Sequence, residues 1–145
     1  MKCGAYLMDS VLVRGNLFAA NCPSRQVLDR IGDRWSVLVV HVLAGGTLRH
    51  GEIAARIGGI TPKMLTQTLR GLERDGLLTR TVHAEVPPRV DYELTTLGRS
   101  LLGVAQALED WAETHISDVD AARAAYDART QVAAGTVQRL AASRK

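Results

Sequence analysis

The chain has only two cysteines in 145 residues, Cys3 and Cys22, too few for a disulfide framework, so a reducing, cytoplasmic setting is expected. It also lacks the run of ~20 apolar residues that a membrane-spanning helix needs. The moderately apolar stretch from Ala5 to Ala20 is broken by Asp9 and Arg14. There is no His-x-x-x-His, no Cys-x-x-Cys and no Gly-rich phosphate loop, and His41, His50, His83 and His115 are scattered along the chain. No metal site and no cofactor are therefore expected. Asp29 with Asp33 and Glu109 with Glu113 are i, i+4 acidic pairs of the kind usually solvated on a helix surface. No nucleophile accompanies them, so the chain is not expected to be an enzyme. His41 lies beside an apolar stripe and reads as a core residue.

What the sequence does have is a core and a polarised charge. Hydrophobic residues make up 46% of the chain, enough for one ordinary domain with an added helix. The formal net charge is +3, but its distribution says more. Residues 49–99 hold eight Lys or Arg against six acids, whereas residues 108–127 hold one Arg against six.

Periodicity and punctuation give the order of elements. Cys22-Pro23 opens a helix striped by Val27, Leu28 and Ile31, and Gly32 stops it. Asp33 caps a second helix in which Trp35, Leu38, Val39, Val42 and Leu43 recur at helical spacing, up to Gly45-Gly46. Thr47-Leu48-Arg49 fits a short strand, followed by a brief helix carrying Ile53, Ala54 and Ile57 and ended by Gly58-Gly59. Thr61-Pro62 starts the next helix, which runs to Gly76, where a left-handed closing residue is allowed. A short helix, a glycine turn and a longer helix make a helix-turn-helix. Residues 77–83 and 90–95 then read as strands around Pro87-Pro88, a hairpin with a stiff tip. From Thr96 the chain is helical again, with Leu97, Leu101, Leu102, Ala105, Leu108 and Trp111 in one stripe; from Ser117 it is Ala-rich and charged.

The helix after Thr61 has two faces. Leu65, Leu69 and Leu72, with Met64 at the edge, should anchor it to the core. Lys63, Thr66, Gln67 and Arg70 lie opposite at spacing 0, +3, +4, +7. Gln can pair with an adenine edge, Arg can fork onto guanine, Lys neutralises phosphate, and Thr serves either phosphate or base. A polar face alone is what most amphipathic helices have. A ribbon carrying Arg80 and Arg89 directly after it is the order of a winged domain, with one helix in the major groove and a wing on the backbone. The fold expected is mainly α with a small β-hairpin wing, a winged helix-turn-helix with an added C-terminal dimerisation helix. One short reading helix specifies few base pairs, so a two-fold pair with half-sites ~34 Å apart is expected, on a pseudo-palindromic operator. Leu101, Leu108 and Trp111 are candidates for the subunit seam, with the chain's own core as the other reading, above all for Leu97 and Leu101.

From Cys22 to about Trp111 the string resembles the HxlR-type winged helix regulators. The matching segments are Cys22-Pro23, Ile31-Gly32-Asp33-Arg34-Trp35, Gly59-Ile60-Thr61-Pro62-Lys63-Met64-Leu65-Thr66-Gln67, Leu72-Glu73-Arg74-Asp75-Gly76-Leu77, Glu85-Val86-Pro87-Pro88-Arg89-Val90-Asp91-Tyr92 and Leu94-Thr95-Thr96-Leu97-Gly98. Asp33 departs from the Gly that many relatives carry, and a helix cap accounts for it. The resemblance implies a homodimer held by N- and C-terminal helices that represses or activates a nearby operon. The expected division is an N-terminal arm (1–21), a winged helix-turn-helix DNA-binding domain (22–96), a C-terminal dimerisation helix (97–127) and a polar Ala-rich tail (128–145). It places Lys63, Thr66, Gln67 and Arg70 in the major groove and Arg49 and Arg89 on phosphates. His50, Thr61, Arg74 and Arg80 complete the expected DNA-binding set.

Several members of this family respond to oxidants or electrophiles through a cysteine at the Cys22 position. A thiol at a helix N-terminus, with Arg25 one turn on, is disposed towards thiolate; the other reading is a small buried hydrophobe. Cys3 is a candidate resolving partner. A small apolar effector beside Trp35, Phe18 or Trp111 is a third expectation. The competing class is a winged helix that docks proteins and leaves DNA alone.

Overall fold

The computed structural model describes residues 6–8, 11–13 and 17–142. Two short strands, β1 (Tyr6–Met8) and β2 (Val11–Val13), pair antiparallel in the N-terminal arm. Then come α1 (Pro23–Ile31), α2 (Arg34–Val42), a 3-10 turn at Leu43–Gly45, β3 (Leu48–Arg49), α3 (His50–Arg56) and α4 (Pro62–Arg74). Strands β4 (Leu78–His83) and β5 (Arg89–Leu94), α5 (Thr96–Ser100) and α6 (Leu102–Ala142) complete the chain. It divides into two compact units, residues 1–105 and 106–145.

Helix ends fall where the cap chemistry puts them. Asp33 Oδ2 accepts the Ser36 N–H at 3.1 Å and so starts α2. Thr61 Oγ1 accepts the Met64 N–H at 3.1 Å, and Pro62 stands at the first position of α4, where no N–H is needed. At the far end of α4, Leu77 N–H reaches Leu72 O at 2.9 Å and Gly76 N–H reaches Glu73 O at 3.0 Å, with Gly76 at φ 74°. That pair of bonds is a Schellman closure, which needs the left-handed residue.

The first unit is a winged helix. Val39 and Val40 from α2 with Leu43 just after it, Ile53 from α3 with Ile57 at its C-cap, and Leu65, Leu69 and Leu72 from α4 pack on Leu77, Leu78, Tyr92 and Leu94. Burial of each large aliphatic side chain contributes about 1.5–3 kcal/mol. The sheet order is β3-β5-β4, antiparallel throughout, with Arg49 opposite Asp91, Leu48 opposite Tyr92 and His83 opposite Arg89. The turn after α4 is sewn to the start of α5. Thr95 Oγ1 donates to Gly76 O at 2.6 Å, Thr95 N–H donates to Leu77 O at 3.1 Å, and Gly98 N–H donates to Thr95 Oγ1 at 3.0 Å. A Cβ on Gly98 would overlap the Leu77 carbonyl, so the glycine is what permits this approach.

Four expectations are corrected. His41 is exposed, because α2 buries Ser36, Val39 and Val40 and turns both His41 and Leu38 outward. Met64 is exposed at the rim of α4 and does not anchor it. Leu97 is exposed, whereas Leu101 and Leu102 do pack on the core. The stripe expected to run unbroken from Leu97 is divided at Leu101 between α5 and α6. The described residues of the second unit belong to α6, which carries helix through Ser117 and on to Ala142. No helix among the described residues is long and apolar enough to cross a membrane.

Candidate nucleic-acid interface

Leu65, Thr68, Leu69, Gly71 and Leu72 form the buried side of α4. Its helical periodicity therefore turns Lys63, Gln67 and Arg70 to solvent, and Thr66 is half-buried beside them. Pro62, Lys63, Thr66, Gln67 and Arg70 line one shallow concavity of about 400 Å³. Thr66 and Arg70 also belong to a second, about 290 Å³, that runs from α4 to the sheet past Glu73, Arg80 and Tyr92. Arg74, in the last turn, is exposed, and Thr61 is occupied as the helix cap.

His50 opens α3, and its Nε2 lies 3.1 Å from Thr66 Oγ1. This bond ties the first helix of the motif to the polar face of the second. Arg49 Nε, on β3, is 3.9 Å from Asp91 Oδ1. Arg49 and His50 share a third concavity, about 480 Å³, with Glu85, Pro87, Pro88 and Arg89 at the ribbon tip.

The ribbon is more ordered than its sequence suggested. Asp91 is the hub: His83 Nε2 lies 2.8 Å from its Oδ2 and Arg89 Nε 3.3 Å from its Oδ1. Arg89 Nη1 is also 3.4 Å from Glu85 Oε1. The sequence presents Arg49 and Arg89 as separate phosphate contacts and does not announce the carboxylate that gathers them. The only signal was alternation along β5, which puts Arg89 and Asp91 on one face; that Arg49 faces Asp91 depends on a β3–β5 pairing no local pattern announces.

Cys22 stands at the N-cap of α1, as expected, but it is buried, 1% exposed. Cys3 lies outside the described residues. Trp35 is half-buried against the core, with Arg34 Cζ 4.2 Å from its ring centroid, and Phe18 is exposed. In α6, Leu108 is 51% and Trp111 59% exposed, and Trp111 stacks on His115 at 4.7 Å between centroids. Among the described residues, no cluster of His, Cys, Asp or Glu could hold a metal ion.

Comparison with known proteins agrees with this geometry. The family model of the HxlR-like helix-turn-helix matches residues 30–120. The HTH-type transcriptional regulator YtfH of Escherichia coli is 46% identical over 112 residues, covering 77% of this chain and 89% of that protein. The solved structure of a YtfH transcriptional regulator from Salmonella typhimurium is 44% identical, with a TM-score of 0.70, over 76% of this chain and 98% of its own. The reduced form of the redox regulator HypR is 34% identical, with a TM-score of 0.62, over 68% of this chain and 98% of its own. A buried three-helix winged core, an α4 with its polar face open, and relatives that are transcriptional regulators along nearly their whole length establish that the chain belongs to the HxlR-like helix-turn-helix family of DNA-binding transcription regulators.

Proposed function

We propose that this protein binds an operator as a homodimer, with α4 in the major groove and the β4–β5 ribbon on the neighbouring backbone, and represses transcription by occupying that site. One observation carries the reading: Lys63, Gln67 and Arg70 stand open on α4 beside a ribbon bearing Arg80 and Arg89. In this arrangement Gln67 and Arg70 read base edges, while Lys63, Arg49, Arg74, Arg80 and Arg89 meet phosphates. Thr61 and His50 act from behind, one by capping α4 and the other by holding Thr66. Dimerisation is supported by apolar residues that the chain leaves half exposed: Val27 and Leu28 on α1, and separately Leu108 and Trp111 on α6.

The decisive experiment is a gel shift on the upstream intergenic duplex across a salt series. Log affinity should fall with log salt at a slope of about −0.9 per phosphate neutralised. Binding that is indifferent to salt would favour the protein-docking class.

A redox response through Cys22 is favoured by its place at the N-cap of α1, where the helix dipole stabilises a thiolate, and by the redox regulator among the structural neighbours. Burial keeps the sulfur from bulk reagents in this conformation, so an oxidant or electrophile would act on a locally opened form. Diamide should change operator binding by the reduced wild type and leave Cys22→Ser unaffected. An equal response in both proteins removes the idea.

A further inference from the structure

Helix α1 buries none of its residues, yet its C-terminal end is fastened to the reading helix at one place. Arg30 Nε, in the last turn of α1, lies 2.9 Å from Oδ2 of Asp75, the C-cap residue of α4. One turn earlier on α4 is Gly71, which is buried. A Cβ built there would come within 2.5 Å of Arg30 Nη1 and 2.6 Å of its Cζ. The guanidinium therefore occupies the space where any other residue would carry a side chain. It also places one positive charge at the C-terminal ends of both α1 and α4, where helix dipoles favour cations.

We propose that Arg30 is a positioning residue: seated in the Gly71 notch and paired with Asp75, it fixes α1 against α4 and so sets the separation of the two reading helices. The proposal rests on the dimeric reading above, in which the exposed Val27 and Leu28 of α1 face the partner subunit. If α1 belongs to the seam, its hold on α4 turns the geometry of the seam into a distance between half-sites. That distance must match about one turn of duplex, ~34 Å, while one base pair changes it by ~3.4 Å. A side chain that locks the two helices thus acts on spacing, without touching a base.

The test uses the full chain and the operator defined by footprinting the upstream duplex, together with versions carrying one base pair inserted or deleted between the half-sites. Gly71→Ala evicts the guanidinium while leaving every charge and every groove-facing side chain unchanged, and alanine favours the helix. Arg30→Gln removes the ion pair instead. Wild type should lose at least about tenfold in affinity on the altered spacings. In both variants this penalty should shrink to about threefold or less, with affinity for a random duplex unchanged. If Gly71→Ala does not fold, Arg30→Gln decides alone, because its side chain is one-third exposed. A spacing penalty that persists in the variants, or is absent from wild type, overturns the proposal. Sedimentation on operator DNA separates the two failures: a monomeric wild type sinks the dimer reading and the proposal with it, whereas a dimer with unaltered spacing preference sinks the proposal alone.

Discussion

Arg49 and Asp91 stand directly opposite each other across β3 and β5, and the same carboxylate also takes His83 at 2.8 Å and Arg89 at 3.3 Å. Asp91 thus does two opposed things. It aims the cations and it cancels part of their charge.

Asp91→Asn separates those roles. Freed of the carboxylate, the ribbon should attract any duplex more strongly, with a salt slope steeper by up to about 0.9. At the same time Arg49 and Arg89 lose their fixed orientation, so the ratio of operator to random-duplex affinity should fall. Fluorescence anisotropy on both duplexes at several salt concentrations reads both effects; equal weakening on both would mean that Asp91 only supports the fold.

The reading face should divide by chemistry. Arg70→Ala should cost about 1–3 kcal/mol on the operator and much less on random DNA, because a forked contact to guanine is lost. Lys63→Ala should weaken both alike and reduce the salt slope by about 1. A uniform loss for Arg70→Ala would place it on a phosphate instead.

Gly98→Ala should destabilise the winged unit by about 1–3 kcal/mol or more, since the new methyl overlaps the Leu77 carbonyl, which is itself held by Thr95 N–H at 3.1 Å. Neighbouring Ser100→Ala, which removes only a local bond to Leu97 O at 2.6 Å, is the control. Urea denaturation followed by circular dichroism distinguishes them.

Thr61→Ala removes the cap of α4 and should cost about 0.5–2 kcal/mol of stability. Thr61→Asp should recover most of it, since an aspartate accepts the same N–H. Urea denaturation reads both variants, and failure of that rescue would show that the accepted N–H is not what Thr61 contributes to the helix.

The sequence was most legible where chemistry is local. Thr61-Pro62, the Leu65, Leu69 and Leu72 spacing, and Gly76 specify α4 almost to the residue. It was least legible where a side chain's role depends on what covers it. Val27 and Leu28 have the period of a core stripe but remain open, because periodicity cannot tell a chain's own interior from another surface. His41 has apolar neighbours in sequence and solvent in space, since one step around a helix reverses its environment. The Arg30 seat on Gly71 joins residues 41 apart, beyond any local pattern, and Asp91 gathers partners from three strands.

Strand β3 is two residues long, yet it is hydrogen-bonded to the ribbon on one side and continuous with α3 on the other. The ribbon therefore cannot swing without dragging the first helix of the motif, and that helix is tied to the reading face through His50 and Thr66. One such unit should behave as a ruler of fixed length, so that natural sites differ in their bases while the stretch of backbone covered by each half stays constant.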